Sequence, residues 1–369
     1  MADVTNYIDR LVAELCPDGV EYRPLGELLA YEQPTKYLVS SKDYDESYPT
    51  PVLTAGKTFI LGYTNETEGI YPASEEEPVI IFDDFTTAFK WVEFPFKAKS
   101  SAMKMLTLKS GTNSLFKYVY YAMQCIVYNS SDHARQWISK YSNIEIPVPP
   151  VEIQEAIVEI LDKFTNLEAE LEAELEARTL QYEYYRDSLF EALDCPRVPL
   201  DSFAKIKNGK TYKEFGAGNI PVYGSGGIMT YVDRSSYDKP TVLIPRKGSL
   251  GNLFYLEEPF WNVDTIFYTE IDEEQVIPKF LYYFLKTAHL EDLNTAGGVP
   301  SLTQKVLNKV LIPVPSLEEQ QRIVDILDRF DALTSSLSEG LPAELAARRS
   351  QYEYYRDQLL TFPRKGENQ

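Results

Sequence analysis

The chain has 369 residues, of which 44% are hydrophobic and 13% aromatic, so two or three domains with well-filled cores are expected. Its three cysteines show no CxxC spacing and its two histidines lie far apart, which argues against a disulfide framework and a Cys/His metal site and favours a reducing cytoplasm. No apolar run approaches the roughly 18 residues that span a bilayer, and the N-terminus lacks the basic flank of a signal peptide. A cytoplasmic protein is expected.

The net charge of −20 lowers the expectation of a nucleic-acid partner without excluding one, because the charge is unevenly placed. Residues 150–200 hold thirteen acidic and four basic side chains, whereas residues 201–315 hold thirteen and twelve. The acidity therefore belongs mainly to one segment, and a local basic loop can still present a positive surface elsewhere.

The chain opens with a short apolar stripe at 1–16, which predicts a helix, and continues into a first globular segment at 17–149. Short β runs bounded by Gly, Asn, Asp and Pro predict a mixed or antiparallel sheet in that segment. A second globular segment at 197–315 has the same character. Its Pro221–Gly226 run matches Pro51–Gly56 of the first, so the two segments are predicted to share a fold.

A long helix is predicted between the globular segments, at 150–196. Neither proline nor glycine occurs between Pro150 and Pro196, and apolar residues recur in steps of three and four, as in a coiled coil. About 40 helical residues would extend about 60 Å, too long to be buried without a partner helix. Residues 316–362 repeat the pattern, with a kink or break at Gly340–Pro342, and 363–369 form a tail.

The clearest feature of the sequence is an internal duplication with spacings of 166 and 170 residues. The repeated runs are Ile146–Pro149 with Ile312–Pro315, Ile157–Phe164 with Ile323–Phe330, and Gln181–Asp187 with Gln351–Asp357. This spacing is too long for a solenoid repeat and indicates a duplicated domain plus a duplicated helix. The predicted fold is α+β: two similar mixed domains separated by a pair of long antiparallel coiled-coil helices, in a pseudo-twofold, circularly permuted arrangement whose termini lie close together.

These repeats resemble a known family, the specificity (S) subunits of Type I restriction–modification systems. The resemblance rests on Ile-Pro-Val-Pro followed by Leu317–Ile323, on Tyr-Glu-Tyr-Tyr-Arg-Asp near each helix end, and on Leu15–Val20. It implies that 17–149 and 197–315 are two target recognition domains that each read half of a split double-stranded DNA sequence. It also implies that the helices set the spacing and dock two methyltransferase subunits, with restriction subunits joining indirectly.

The same resemblance implies that this chain is not an enzyme. S-adenosylmethionine, ATP and Mg are then expected in the partner subunits, and no cofactor is expected in this chain. The sequence itself shows no Asn/Asp-Pro-Pro-Tyr/Phe methylation motif, no phosphate-loop motif and no zinc spacing. A stiff helix pair would hold the two domains about one turn of B-DNA, near 34 Å, or a multiple apart, as contact with one face of the duplex requires.

In the second domain, basic and glycine-containing loops are the candidate DNA contacts, because Lys and Arg reach phosphates and guanine edges. The alternative for each is a solvated turn. The candidates are Lys207, Asn208, Lys210, Ser225, Arg246, Lys247, Ser249, Gly297, Gly298 and Ser301.

In the first domain, basic and aromatic side chains occur together, and Asp83–Thr86 occupies the position of Pro245–Gly248. A buried core role is the alternative for Trp91, and a turn or cap is the alternative for Asp84. The candidates are Lys57, Thr58, Asp84, Thr86, Lys90, Trp91, Lys97, Lys99, Ser101, Lys104, His133 and Arg135.

The helices carry more aromatic residues than one seam can accommodate, so some are predicted to contact a partner, where Tyr and Arg are enriched. The alternative is that all of them pack within the helix pair. The partner-binding candidates are Gln154, Tyr182, Tyr185, Arg186, Glu319, Gln320, Tyr352, Tyr355 and Arg356.

Two other functional classes remain open at this point. The first is a catalytic DNA methyltransferase or nuclease with an unrecognised site, for which Asp83, Asp84, Glu93 and Lys97 offer only an irregular acidic cluster. The second is a coiled-coil scaffold that does not bind nucleic acid.

Overall fold

A computed structural model describes residues 2–56, 58–128, 134–294, 298–334 and 340–366, with side chains from residue 7 onward. The chain forms two compact units, Met1–Ala169 with Ala347–Gln369, and Glu170–Ala346. Each unit contains one globular domain together with helical segments from two distant parts of the chain.

In the residues that the structure describes, the first unit contains nine strands, and its helices come from several parts of the chain. The strands are β1 (Tyr22–Pro24), β2 (Leu29–Glu32), β3 (Thr50–Leu53), β4 (Ile60–Thr64), β5 (Val79–Asp83), β6 (Phe89–Val92), β7 (Lys97–Ala98), β8 (Met103–Leu108) and β9 (Glu145–Pro147). The helices are α1 (Ala2–Leu15), α2 (Leu25–Leu28), α3 (Phe116–Gln124), the first part of α4 (Val151–Glu191) and the end of α8 (Gly340–Leu359), with 3₁₀ turns at Pro34–Tyr37 and Tyr141–Asn143.

The second unit repeats this inventory strand for strand. Its strands are β10 (Arg197–Pro199), β11 (Ala204–Asn208), β12 (Ile220–Gly224), β13 (Gly227–Val232), β14 (Thr241–Pro245), β15 (Phe254–Leu256), β16 (Trp261–Asn262), β17 (Ile266–Ile271) and β18 (Leu311–Pro313). Its helices are α5 (Pro278–Thr287), α6 (Gln304–Leu307), α7 (Leu317–Thr334), the remainder of α4 and the start of α8, with 3₁₀ turns at Leu200–Ser202 and Leu290–Leu293.

The two domains share one sheet topology, as the sequence repeats predict. A four-stranded sheet has the order β2-β8-β5-β6 in the first domain and β11-β17-β14-β15 in the second. Three-stranded sheets, β4-β3-β7 and β13-β12-β16, and two-stranded sheets, β1-β9 and β10-β18, complete each set. The central strands β5 and β14 are buried along almost their whole length, because their runs of Val, Ile, Leu and Phe contact core on both faces.

A buried glutamine joins each long helix to its domain. Gln154 Oε1 accepts a 2.8 Å hydrogen bond from the backbone N–H of Leu115, and its Nε2 donates to the carbonyl of Pro149. In the second unit Gln320 Oε1 accepts from the N–H of Ile277, also at 2.8 Å, and its Nε2 donates to the carbonyls of Gln275 and Pro315. Both side chains have no exposed surface. The prediction that Gln154 and Gln320 contact a partner subunit is therefore wrong: burial and internal hydrogen bonds occupy both amides.

A second duplicated contact ties the helices to the domains through tyrosine. Tyr283 donates a 2.6 Å hydrogen bond to Asp328 of α7, and Tyr121 donates to Asp162 of α4 in the first unit. Burial, and then the hydrogen bond to the carboxylate, raise the pKa of both tyrosines well above the usual range, so each hydroxyl stays protonated as a donor.

Within each unit the helical segments meet through one repeated aromatic contact. Phe164 stacks on Tyr355 with ring centroids 5.7 Å apart, and Phe330 stacks on Tyr185 at 5.8 Å. In the first unit Arg349 also pairs with Glu168 at 2.6 Å. Since 164 lies beside 355 and 168 beside 349, α4 and α8 run antiparallel there. The predicted break at Gly340 is also present, since α8 begins at that residue with a positive φ of 74°.

The first and last parts of the chain are adjacent, as the permuted repeat predicts. The N–H of Val20 donates to the carbonyl of Pro363 at 2.9 Å, and the N–H of Lys365 donates to the carbonyl of Val20 at 3.0 Å. Arg364 pairs with Glu145 at 2.6 Å. In the part of the chain described by the structure, no helix is long and apolar enough to cross a bilayer.

Candidate nucleic-acid interface

In the second domain, four separate loops converge at the end of β14. The N–H groups of Arg246 and Lys247 both donate to the carbonyl of Thr265, and the N–H of Leu302 donates to the carbonyl of Arg246. The N–H of Ser225 donates to the Thr265 hydroxyl at 3.2 Å. Three predicted contacts, Ser225, Arg246 and Lys247, are therefore adjacent on one surface.

Glycine and asparagine complete this loop surface. Gly248 has a φ of 84°, which favours glycine, and its N–H donates to the carbonyl of Pro300. Asn252 donates from Nδ2 to the carbonyl of Ser225 at 3.2 Å, and Lys247 forms a β-bridge with Ser301. Residues 247–249 are exposed. Nothing in the local sequence marks Asn252 or Thr265, because Ser225, to which both bond, lies 27 residues from Asn252 and 40 residues from Thr265.

Arg246 is the best placed side chain for reading a base. Its guanidinium lies 5.9 Å from the centre of the Phe267 ring and donates to the carbonyl of Asp264 at 3.4 Å. No carboxylate pairs with it among the described side chains, so its charge remains available to an anion. An arginine held over a ring presents a directed fork of donors, the geometry that recognises guanine or phosphate.

The end of β11 contributes two exposed candidates, Asn208 and Lys210, and one less direct candidate, Lys207. Asn208 accepts from Gln304 at 3.3 Å, while Lys210 is exposed and its backbone is fixed by Asn262 and Trp261. Lys207 pairs with Glu270 at 3.1 Å. That carboxylate offsets the positive charge of Lys207 and makes it a weaker phosphate contact than the sequence suggests.

The equivalent loop of the first domain is organised by a buried aspartate. Asp84 accepts from the backbone N–H of Trp137 at 2.8 Å and pairs with Lys104 Nζ at 3.0 Å. Both charged side chains have no exposed surface, and Lys104 also lies 5.0 Å from the Tyr31 ring centre. The predicted DNA contacts by Asp84 and Lys104 are therefore wrong: the two groups neutralise each other inside the domain.

Three exposed candidates surround that buried pair. Thr86 lies in the β5–β6 turn, with its hydroxyl donating to Asp83, and Ser101 lies in the turn before β8. Arg135 is exposed one residue before Gln136, whose N–H donates to the carbonyl of Asp84. The structure brings Thr86, Ser101 and Arg135 to the same end of the sheet.

The remaining basic and aromatic candidates of this domain serve mainly structural contacts. Trp91 packs against Phe116 at 4.9 Å and stays in the strand–helix layer, the core role that the sequence left open. Lys97 is buried and pairs with Glu66 at 2.7 Å, so direct DNA contact by Lys97 is also a wrong prediction. Lys99 donates to the Tyr44 hydroxyl at 2.7 Å, and Lys90 is exposed on the edge strand β6.

Thr58 and Gly298 are described and exposed. Lys57, His133 and Gly297 lie outside the described residues.

On the helices, the two most exposed tyrosines of the repeated runs, Tyr184 and Tyr354, are not among the predicted partner contacts. Tyr182 is buried, and Tyr352 donates to Gln124 at 2.5 Å. Tyr184 and Tyr354 are 70% and 59% exposed at equivalent positions of the two copies. Both tyrosines lie between the apolar seam positions of their helices, and this placement is the sequence signal that could have identified them.

Each charged candidate on the helices forms an ion pair with another side chain of the same helix. Arg186 and Arg356 pair with the adjacent Asp187 and Asp357 and keep only 12% and 15% of their side chains exposed. Glu319 binds Arg322 through both carboxylate oxygens, and that hydrogen bond lowers the Glu319 pKa. Tyr185 is 44% exposed beside Tyr184, so it can take part in the same contact.

The two domains share one sheet topology, carry exposed polar loops, and join their helices through matching contacts, which defines a duplicated two-domain protein. A family model described as the Type I restriction modification DNA specificity domain matches residues 17–177 and 194–347, one copy for each domain. A specificity subunit of the Type I restriction enzyme EcoR124I/EcoR124II from Escherichia coli is 44% identical over 97% of this chain and 98% of its own length. The chain therefore belongs to the specificity subunits of Type I restriction–modification systems and carries two target recognition domains.

Other relatives agree with this membership. A putative Type I specificity subunit of Haemophilus influenzae is 30% identical over 93% of this chain and 96% of its own length. The crystal structure of an S subunit from M. genitalium shares the fold, with a TM-score of 0.58 at 19% identity, over 93% of this chain and 96% of that one.

Proposed function

We propose that this chain reads a bipartite double-stranded DNA sequence, one half through each target recognition domain, and docks two methyltransferase subunits. In this proposal restriction subunits join through the methyltransferase subunits, and the chemistry that needs S-adenosylmethionine, ATP and Mg belongs to those partners. The chain itself supplies recognition and assembly.

The proposal rests on one observation: equivalent backbone positions in the two domains carry side chains of opposite charge. Arg246 and Asp84 occupy equivalent positions: the carbonyl of each accepts from the segment that follows, through Leu302 and Gln136. One position presents a partly exposed cation and the other a buried anion. Domains that share a scaffold but differ in their loops are expected to read different bases, which gives a non-palindromic site.

The helices support assembly through their duplicated exposed tyrosines. Tyr184 and Tyr354 project from equivalent positions, each against a neighbouring tyrosine at 5.7 or 5.4 Å. Large, exposed aromatic rings are typical of the centre of protein interfaces. Two equivalent copies of this surface favour two copies of one partner.

A mapping experiment tests the reading function. The chain would be expressed with its methyltransferase subunit in a host without other adenine methylation, and methylated sites would be sequenced. A split motif with an unread spacer is the expected result, and an unsplit motif contradicts the proposal. Purified chain incubated with DNA and S-adenosylmethionine, or with Mg²⁺, should show no turnover; turnover would favour the enzyme alternative.

A pull-down tests the docking function. Tyr184→Ala combined with Tyr354→Ala should reduce recovery of the methyltransferase subunit, and each single variant should remove about half of the binding capacity. Tyr7→Ala is the control, since Tyr7 is also exposed but lies on α1. Unchanged recovery for the double variant would place the docking surface elsewhere.

A further inference from the structure

The same irregular hairpin occurs in both recognition domains. Strands β3 and β4 pair with a register shift between Val52 and Leu53, and strands β12 and β13 pair with a shift between Val222 and Tyr223. The shift leaves Leu61 unpaired in the first domain and Met229 unpaired in the second. A bulge at one register position in two diverged copies is expected to be a functional feature, because bulges redirect side chains.

The side chains that these bulges redirect are apolar and exposed. Leu61 is 39% exposed and Met229 is 57% exposed. Their neighbours Ile60 and Ile228 are 38% and 49% exposed. Both strands lie at a sheet edge, where exposed apolar residues invite association unless they serve an interface.

In the second domain this apolar group adjoins the polar loop surface. A Cβ on Gly224 would lie 2.8 Å from Met229 Sδ and 3.4 Å from the Thr265 hydroxyl, so the methionine lies across Gly224. Thr265 is also the residue whose carbonyl holds the N–H groups of Arg246 and Lys247. Met229 is therefore continuous with the surface that carries Arg246 and Lys247.

The first domain shows a related arrangement. A Cβ on Gly62 would lie 2.8 Å from Tyr44 Cβ, so the strand that carries Leu61 packs beneath that ring. The Tyr44 hydroxyl accepts from Lys99. In this domain too, the strand with the exposed aliphatic side chain packs against a residue that binds a lysine.

We propose that Leu61 and Met229 are specificity residues that contact the 5-methyl groups of thymines, one in each half of the recognised sequence. The proposal rests on the DNA-reading function above and assigns the apolar part of the readout. The thymine methyl is the apolar group that base edges present in the major groove, and aliphatic side chains recognise it there. Nearby lysine and arginine favour DNA over a protein partner as the occupant of this surface.

The test measures how affinity depends on a single methyl group. Each thymine of the mapped motif would be replaced by deoxyuridine in duplexes bound by the assembled complex. One replacement in each half should weaken binding by the wild type about three- to fivefold, the effect of losing one buried methyl. Met229→Ala should remove the dependence in the half read by the second domain alone, and Leu61→Ala should remove it in the other half alone.

A second variant moves the methionine without deleting it. Gly224→Ala places a Cβ against Met229 Sδ at a glycine whose backbone does not require glycine, so it should also reduce the thymine dependence. Leu311→Ala is the control, because Leu311 is an exposed apolar residue of the same unit on β18 and should change nothing.

The outcomes separate this inference from the proposed function. A wild-type complex without a split motif defeats the proposed function itself. A split motif with unchanged thymine dependence in the Met229 and Leu61 variants overturns the inference and leaves the proposed function intact. Loss of methyltransferase subunit from the variants with unchanged DNA reading would also overturn it, because the surface would then bind protein.

Discussion

The two recognition domains have the same strands in the same order, yet one position inverts its charge. In the second domain Arg246 lies over Phe267 and remains partly exposed; in the first, Asp84 faces Lys104 in the interior. The backbone bonds that hold the two loops are equivalent. Duplication has preserved the frame while the loop chemistry has diverged, which is what a protein that reads two different half-sites requires.

The junctions between helix and domain show the opposite behaviour. Gln154 and Gln320 make matching hydrogen bonds, and Phe164 and Phe330 make matching stacks. These contacts set how each domain is attached to its helix, and both copies retain them. Substitutions at equivalent positions of the two domains should therefore have different effects in the loops and similar effects at the junctions.

The largest expected effect is at the buried ion pair. Asp84→Ala leaves the Lys104 ammonium buried without its carboxylate and removes the acceptor of the Trp137 N–H. The first unit should lose about 3–5 kcal/mol of unfolding free energy. Chemical denaturation monitored by tryptophan fluorescence measures the loss, and Asp83→Ala at the exposed turn should cost much less. Normal stability with impaired DNA binding would instead make Asp84 a contact residue.

The next effect tests whether the junctions are equivalent. Gln154→Ala and Gln320→Ala each leave a buried N–H and buried carbonyls unsatisfied, at about 1–3 kcal/mol per group. Amide hydrogen exchange should accelerate at Leu115 in the first variant and at Ile277 in the second, to similar extents. Gln321→Ala is the control, because that amide is exposed and bonds the exposed side chain of Asp325. A large effect in one copy alone would show that the junctions are not equivalent.

The third effect distinguishes reading from general attraction. Arg246→Ala should weaken binding of the assembled complex by about 1–3 kcal/mol and relax one base position of the second half-site. Lys247→Ala should weaken all sequences alike and reduce the slope of affinity against salt by about one. Fluorescence anisotropy at several salt concentrations measures both. Lys207→Ala should have less effect than Lys247→Ala, since Glu270 already offsets its charge.

The smallest expected effect is a pH dependence of the stability of the first domain. The hydrogen bond from Lys97, followed by backbone donors, lowers the Glu66 pKa below its ordinary value of 4.5. This contact should stabilise the domain above that value and lose its effect as the pH falls through the lower, folded-state pKa. Glu66→Gln should cost about 1 kcal/mol at pH 7, because Glu66 retains 20% side-chain exposure, and nothing in strong acid. A thermal melt at pH 7 and below pH 3 compares the two, and an equal cost at both pH values would contradict the assignment.

The duplication, α4, the break at Gly340 and the adjacency of the first and last segments are predictable from the sequence, because periodicity and repeated runs are local signals. The burial of Asp84, Lys97 and Lys104 cannot be predicted in this way. Their burial depends on partners that are distant in the sequence, such as Trp137, 53 positions from Asp84. The residues around a lysine do not show whether a buried carboxylate will pair with it. Exposure on the helices likewise depends on helical phase, which buries Tyr182 and leaves Tyr184 70% exposed two residues later.

Exchange of residues 197–315 for the corresponding segment of the Escherichia coli relative tests the central claim most directly. The hybrid would be expressed with its methyltransferase subunit, and its methylated sites would be mapped beside those of the parent. Independent reading by each domain predicts that one half of the motif changes while the other half is retained. A motif that changes in both halves, or in neither, would contradict the account.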